Sequence, residues 1–214
     1  MALRGRTQTR RPARGAPEDT RARLVAAAAR EFNRAGYHGT DSNRIAHEAG
    51  YAPGTFYKHF ADKREIFLAA WESWVAREWQ AVQREVETAE DTEELAARIV
   101  DLTLAFHVRW RGLRASMHAL AAADPVVRRF HRAQRRHQLD LLAALRLRAG
   151  LPAQSVEGDA VLLFTLERAC DAMALGETRD LGLERASLVA ELRAQVQRRL
   201  GTRAARGETA SASI

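Results

Sequence analysis

The stretch from Thr40 to Lys63, T-D-S-N-R-I-A-H-E-A-G-Y-A-P-G-T-F-Y-K-H-F-A-D-K, constrains the fold more than any other part of the chain. It holds two short helical patterns broken by Gly50. In the first, Ile45, Ala46 and Ala49 fall at helical spacing, and Thr40 or Asp41 is placed to accept hydrogen bonds from the free amides of the first turn. Gly50 supplies the positive φ that a tight inter-helix turn needs, Pro53 suits a first helical position, and Phe56, Tyr57 and Phe60 resume the periodicity. Two helices crossing steeply through so short a turn leave no room for a large side chain four positions before the glycine, and Ala46 stands there. The pattern reads as a helix-turn-helix, the second helix held against the first by Ile45, Ala49, Tyr51 and Phe56, with its outer face free for a DNA groove. A plain αα-hairpin would show the same periodicity.

Charge separates the two readings. Residues 1–64 hold 13 Lys+Arg against 6 Asp+Glu, whereas residues 65–214 hold 21 of each, so the whole formal charge of +7 lies with the hairpin. Phosphate neutralisation and counterion release supply most non-specific DNA affinity, which makes a polyanion the direct reading of this asymmetry. Solubility alone would not concentrate the charge at one end.

The same stretch resembles the N-terminal pattern of the TetR-type bacterial transcriptional regulators. The residues that carry the resemblance are Ala27-Ala28 with Phe32, Gly36 with Thr40, Ile45-Ala46, Ala49-Gly50, Gly54-Thr55-Phe56-Tyr57, His59-Phe60 and Lys63. They span about residues 20–70 and do not extend into the remainder. The resemblance implies that Thr40, Tyr57, His59 and Lys63 take phosphates, while Asn43, Arg44, Pro53, Gly54, Thr55 and Lys58 lie near base edges. Two positions depart from the family pattern: Ala52 replaces the usual capping serine, weakening the helix start, and Ser42 stands where an apolar residue is common.

The remaining chain reads as all-α, in one small and one larger domain. Residues 1–17, with five arginines and no acid, form a basic arm that either touches DNA or is simply solvated. Residues 18–64 form the helix-turn-helix domain, residues 65–200 a helical domain, and residues 201–214 a disordered tail. Leu24, Ala27, Ala28 and Phe32 line the first helix, and Asp62 caps a long connector carrying Trp71, Trp74 and Trp79. Leu95, Ile99, Leu102, Phe106 and Trp110 form the next stripe, and Arg111-Gly112 interrupts it. Pro125 starts a helix whose Arg128, Arg129, Arg132, Arg135 and Arg136 read as a solvated face. Ser155 caps a helix, apolar around much of its circumference, that is expected to be buried from two sides, and Leu188, Leu192, Val196 and Leu200 line the last helix.

No cofactor or metal site is expected, because none of the seven histidines forms H-E-x-x-H or pairs with cysteine at zinc spacing. Glu167 and Asp171 lie one turn apart, but no nucleophile motif accompanies them, so the chain reads as a binding protein and not an enzyme. Cys170, the single cysteine, has no disulfide partner within the chain. Apolar runs are too short to span a bilayer, so a cytoplasmic location is expected. A small-molecule carrier built on the C-terminal bundle is the alternative class, and it leaves the basic hairpin unexplained.

Three functional expectations follow. The first is sequence-specific DNA binding, with the second helix of the hairpin in the major groove. The second is a homodimer that reads a palindromic operator, for which the family resemblance points to the last two helices and to Leu162, Leu166, Ala169, Leu188, Leu192 and Val196. The third is a repressor released by a small apolar or aromatic effector held in the C-terminal domain. Phe106, Trp110, Met117, Leu120, Phe130, Leu141, Phe164 and Met173 supply its apolar wall, and His107, His131, Thr165 and Glu167 its polar contacts.

Overall fold

Capping residues and helix-stopping glycines and prolines cut the chain into helices. The structure, a computed structural model, describes residues 16–201, so the expected basic arm and C-terminal tail lie outside the described residues except for Ala16, Pro17 and Gly201. Every regular element described is helical: α1 (Pro17–Ala35), α2 (Ser42–Glu48), α3 (Pro53–Phe56), α4 (Lys63–Thr88), α5 (Thr92–Arg109), α6 (Arg111–Ala123), α7 (Pro125–Arg148), α8 (Val156–Leu175), α9 (Glu177–Asp180) and α10 (Arg185–Leu200). The fold is all-α.

Side-chain oxygens occupy the helix starts that the sequence marks. Asp41 accepts from the Arg44 amide at 2.9 Å, Asp62 from Glu65 at 2.8 Å, Asp91 from Glu94 at 2.8 Å and Ser155 from Gly158 at 3.0 Å. At the end of α2 the amides of Tyr51 and Gly50 bond back to Ala46 and His47, and Gly50 has φ +82°, so the turn glycine closes a Schellman motif. The second hairpin helix is shorter than its periodicity suggests. Ala52 contributes no side-chain cap, and after α3 the chain continues in i→i+3 bonds from Lys58 to Thr55 and from His59 to Phe56.

Contacts group the chain into two units. The first joins the residues up to Trp74 with Gly112–Val127, and the second joins Val75–Arg111 with the residues from Arg128 onward. The boundary between these contact units falls within α4, and most of α6 returns to the N-terminal unit. Hydrogen bonds explain that return: Asn33 Oδ1 accepts from the amides of Gly112 and Leu113 at 3.0 and 3.2 Å, and the Tyr37 amide donates to Ser116 Oγ at 3.1 Å. A β-carbon at Gly112 would stand 2.0 Å from the Asn33 carbonyl oxygen, so only glycine permits this approach.

The core of the first unit is Leu24, Ala28 and Phe32 of α1 with Ile45, Phe56, Phe60, Ile66 and Phe67, all essentially inaccessible. Phe32 and Phe67 meet edge to face at 5.0 Å. In the second unit α5 packs against α8 and α10, burying Leu95, Val100, Leu104, Leu162, Cys170 and Val196 together. Arg146 of α7 donates to Asp159 of α8 at 2.7 Å and to the Arg199 carbonyl of α10 at 3.1 Å, a buried link among three helices.

Two stripes differ from the reading of the sequence. On α5 the fully buried row is Leu95, Ala96, Val100, Thr103, Leu104 and His107, while Ile99, Leu102, Phe106 and Trp110 are half-buried. On α8 Val161, Phe164 and Thr165 are exposed, so α8 is buried from one side and not two. Its apolar circumference could not reveal which faces have neighbours within the chain.

Candidate DNA interface and helical pocket

The hairpin presents a row of polar groups on a fixed frame. Asn43 and Arg44 on α2, and Pro53, Gly54, Tyr57 and Lys58 on α3 and its extension, are exposed, while Thr55 and His59 are half-buried. Tyr57 is 60% exposed, yet its hydroxyl lies 2.9 Å from Ser42 Oγ. Ser42, the polar departure from the family pattern, thus links the start of α2 to the reading face. Gly54 has open space where a β-carbon would be, so its backbone is accessible to a close partner.

Two residues expected at phosphates have other partners. Thr40 is 4% exposed, and its hydroxyl donates to Glu31 Oε2 at 3.3 Å. Lys63 Nζ donates to the carbonyls of Tyr37 and Thr40, each at 3.0 Å, and lies 4.4 Å from the centre of the Tyr37 ring. Both groups fasten the loop between α1 and α2 to its surroundings.

Glu31, which the sequence reading did not single out, is the centre of this fastening. Its carboxylate accepts from Arg34 at 3.1 and 2.8 Å, from the Thr40 hydroxyl, and lies 3.5 Å from Arg44 Nε. The hydrogen bond from Arg34 holds the Glu31 carboxyl below its ordinary range against the opposing effect of burial; the charge of Arg34, the Thr40 hydroxyl and the charge of Arg44 add to the lowering. An acid on the buried face of a basic α1 was the signal available in the sequence.

The second unit encloses an apolar pocket of about 70 Å³. Trp79, Val82, Ile99, Leu142, Leu163 and Leu166 contribute to its wall, and its polar lining consists of Glu78, Thr103 and Glu167. Of the twelve residues expected at a ligand, only Glu167 lines it. Met117 and Leu120 belong to the first unit, and Met173 is part of the apolar core of the second. Phe106, Trp110, Phe130, His131 and Leu141 are half-buried beyond the lining, and Phe164 and Thr165 are exposed.

Buried polar groups stand beside this pocket. His107 is fully inaccessible, with Nδ1 2.8 Å from Asp171 Oδ1 and Nε2 3.8 Å from Glu78 Oε1. Arg135 forms an ion pair with Glu167 and lies 5.8 Å from the centre of the Phe164 ring. It is thus drawn out of the solvated basic face in which the sequence reading placed it. Glu167 and Asp171 have separate partners, as a pair of structural carboxylates would.

Of the six residues expected at a dimer interface, Leu162, Leu166, Leu192 and Val196 belong to the apolar core of this unit and also line a groove between α8 and α10. Ala169 and Leu188 pack against that core. A helical row shows its spacing but not its partner, and α5 packs against both of these helices.

A small basic unit with a helix-turn-helix whose reading face is exposed defines a DNA-binding protein. The family model for the bacterial regulatory proteins of the tetR family matches residues 24–70, the stretch that holds the hairpin. Among curated proteins no sequence matches the chain. Solved structures share its fold. A TetR-family transcriptional regulator from Mesorhizobium loti is 21% identical with a TM-score of 0.68, covering 87% of this chain and 98% of its own. A transcriptional regulator from Saccharomonospora viridis in complex with choline is 21% identical with a TM-score of 0.64, over 85% and 95% of the two chains. The regulator FadR from Bacillus subtilis in complex with stearoyl-CoA is 15% identical with a TM-score of 0.64, over 84% and 97%.

Proposed function

We propose that this transcriptional regulator is a homodimeric repressor that binds a palindromic operator and leaves it when a small molecule enters the pocket of the second unit. The observation that carries the reading is the exposed row Asn43, Arg44, Gly54, Tyr57 and Lys58 on a hairpin whose other face is fully packed. In this reading Asn43, Arg44 and Lys58 reach base edges, Tyr57 and His59 take phosphates, and Pro53, Gly54 and Thr55 bring the helix start close to the groove. Thr40 and Lys63 act by holding the loop that carries α2. One hairpin reads only a few base pairs, and two-fold pairing doubles the site. The effector needs only to bind the DNA-incompetent arrangement more tightly.

Selection of bound sequences from a random DNA pool by the full chain tests the reading. A palindromic consensus supports it, and the absence of any enriched sequence overturns it. Against the selected operator, Tyr57→Phe and Lys58→Ala weaken binding, and Lys58→Ala also makes the salt dependence less steep, by about one phosphate contact. A reporter promoter carrying the operator is silenced by the chain if it is a repressor and raised if it is an activator.

A further inference from the structure

The outermost hydroxyl of the hairpin face has an inner partner. Tyr57 is 60% exposed, and its ring meets the fully buried Phe56 ring edge to face at 5.2 Å, with 71° between the planes. Its hydroxyl lies 2.9 Å from Oγ of the half-buried Ser42. Ser42 in turn stands on fixed backbone: Asp41 caps α2 through the Arg44 amide, and the Asp41 carbonyl accepts from Ile45 at 3.1 Å. The ring and the hydroxyl of Tyr57 are thus held at two separate points, one on α3 and one on α2. Two hydroxyls carry two protons between them, and the bond that joins them uses one. The other proton is left to donate outward. Tyr57 is the outer group and a phenol is the stronger donor, so the order that suits an anion is Ser42 O–H donating to Tyr57 Oη and Tyr57 O–H donating to the anion. A bond donated to the phenol oxygen polarises its own O–H, and each bond in such a chain strengthens the next.

We infer that Ser42 is a positioning residue for DNA binding: it aims the Tyr57 hydroxyl at one backbone phosphate, and it acts through Tyr57 without touching DNA itself. The inference rests on the reading of Tyr57 as a phosphate contact, and it adds the group that prepares that contact. The gain is preorganisation. A free, exposed tyrosine loses side-chain freedom when it binds, whereas here the hydrogen bond selects its rotamer before DNA arrives. Phosphates carry no sequence information, so the gain falls equally on every sequence.

Affinity of the full-length chain for the selected operator and for a random-sequence duplex, followed by fluorescence anisotropy of the labelled DNA, tests the inference. Ser42→Ala is expected to weaken both by about three- to tenfold, the usual worth of one neutral hydrogen bond. Tyr57→Phe weakens them further, and adding Ser42→Ala to it changes affinity by no more than about 1.5-fold, since the group through which Ser42 acts is gone. Ser42→Thr keeps the hydroxyl and stays within about twofold of wild type, whereas Ser42→Val has the shape of threonine without the hydroxyl and falls with Ser42→Ala. The salt dependence is the same for all of these variants, because a hydroxyl displaces no counterion. Ser42→Val binding as tightly as Ser42→Thr overturns the inference. So does a loss from Ser42→Ala that persists in full beside Tyr57→Phe, which would make Ser42 a DNA contact in its own right or a merely structural residue. If Tyr57→Phe leaves affinity unchanged, the phosphate reading of Tyr57 falls and the inference falls with it. If Tyr57→Phe weakens binding and Ser42→Ala does not, the phosphate reading stands and the role of Ser42 falls.

Discussion

Glu31 shows how one buried carboxylate can serve a basic surface. It gathers Arg34, Thr40 and Arg44 around itself, so an arginine of the candidate reading face is held by a nearly buried carboxylate. Glu31→Gln keeps the shape and removes the charge, and is expected to lower stability at neutral pH by about 1–3 kcal/mol, the usual range for losing hydrogen bonds to a charged group. The pH dependence follows from the lowered pKa. A carboxyl whose pKa is depressed by folding contributes stability that is fully present above its unfolded value, about 4.3, and is lost as pH falls through the folded value. The gap between wild type and Glu31→Gln in urea midpoint should therefore be constant from pH 6 to 7 and close below about pH 4. A gap that persists unchanged at pH 3 would contradict the charge-based account. The same substitution frees Arg34 and Arg44, so affinity for random-sequence DNA is expected to hold or rise while discrimination for the operator falls.

At the scale of the element, α6 is the instructive helix. Its own composition, R-G-L-R-A-S-M-H-A-L-A-A-A, makes a good helix with no sign of where it docks. Docking is decided by Asn33, whose side-chain carbonyl accepts from two amides at the start of α6, and by the bare α-carbon of Gly112 against the Asn33 backbone. Gly112→Ala would improve intrinsic helix propensity by nearly 1 kcal/mol. The β-carbon 2.0 Å from the Asn33 oxygen reverses that gain, and overpacking of this kind costs roughly 1–3 kcal/mol. The expected outcome is a lower melting temperature, and a raised one would show that propensity outweighs the contact. Gly54 makes the contrast: a β-carbon there meets nothing, so glycine at that position answers no demand of the free fold.

At the scale of the whole molecule, the assembly state turns on which apolar groups remain outside. Leu192 and Val196 are occupied in the core, whereas Val161 and Phe164 stand out from α8, Phe164 at 53% exposure. If two chains pair through α8, Phe164→Glu converts the assembly to the 23.9 kDa monomer in sedimentation at micromolar concentration, with helix content unchanged. A wild-type chain that already sediments at that mass would reject the dimer. The hairpin was legible in the sequence because its determinants lie within some twenty residues of one another: Asp41, Ala46, Gly50 and Pro53 set caps and turn through local backbone geometry, and the apolar spacing sets the packed face. The all-α class followed in the same way from periodicity and caps. Tertiary structure alone decided the destination of α6, the engagement of Thr40 and Lys63 as fasteners, the pocket lining and the face of α8 left open. Periodicity shows that a helix has an apolar row but not what covers it, and groups some eighty residues apart, such as Asn33 and Gly112, share no local pattern until the fold brings them within 3.0 Å.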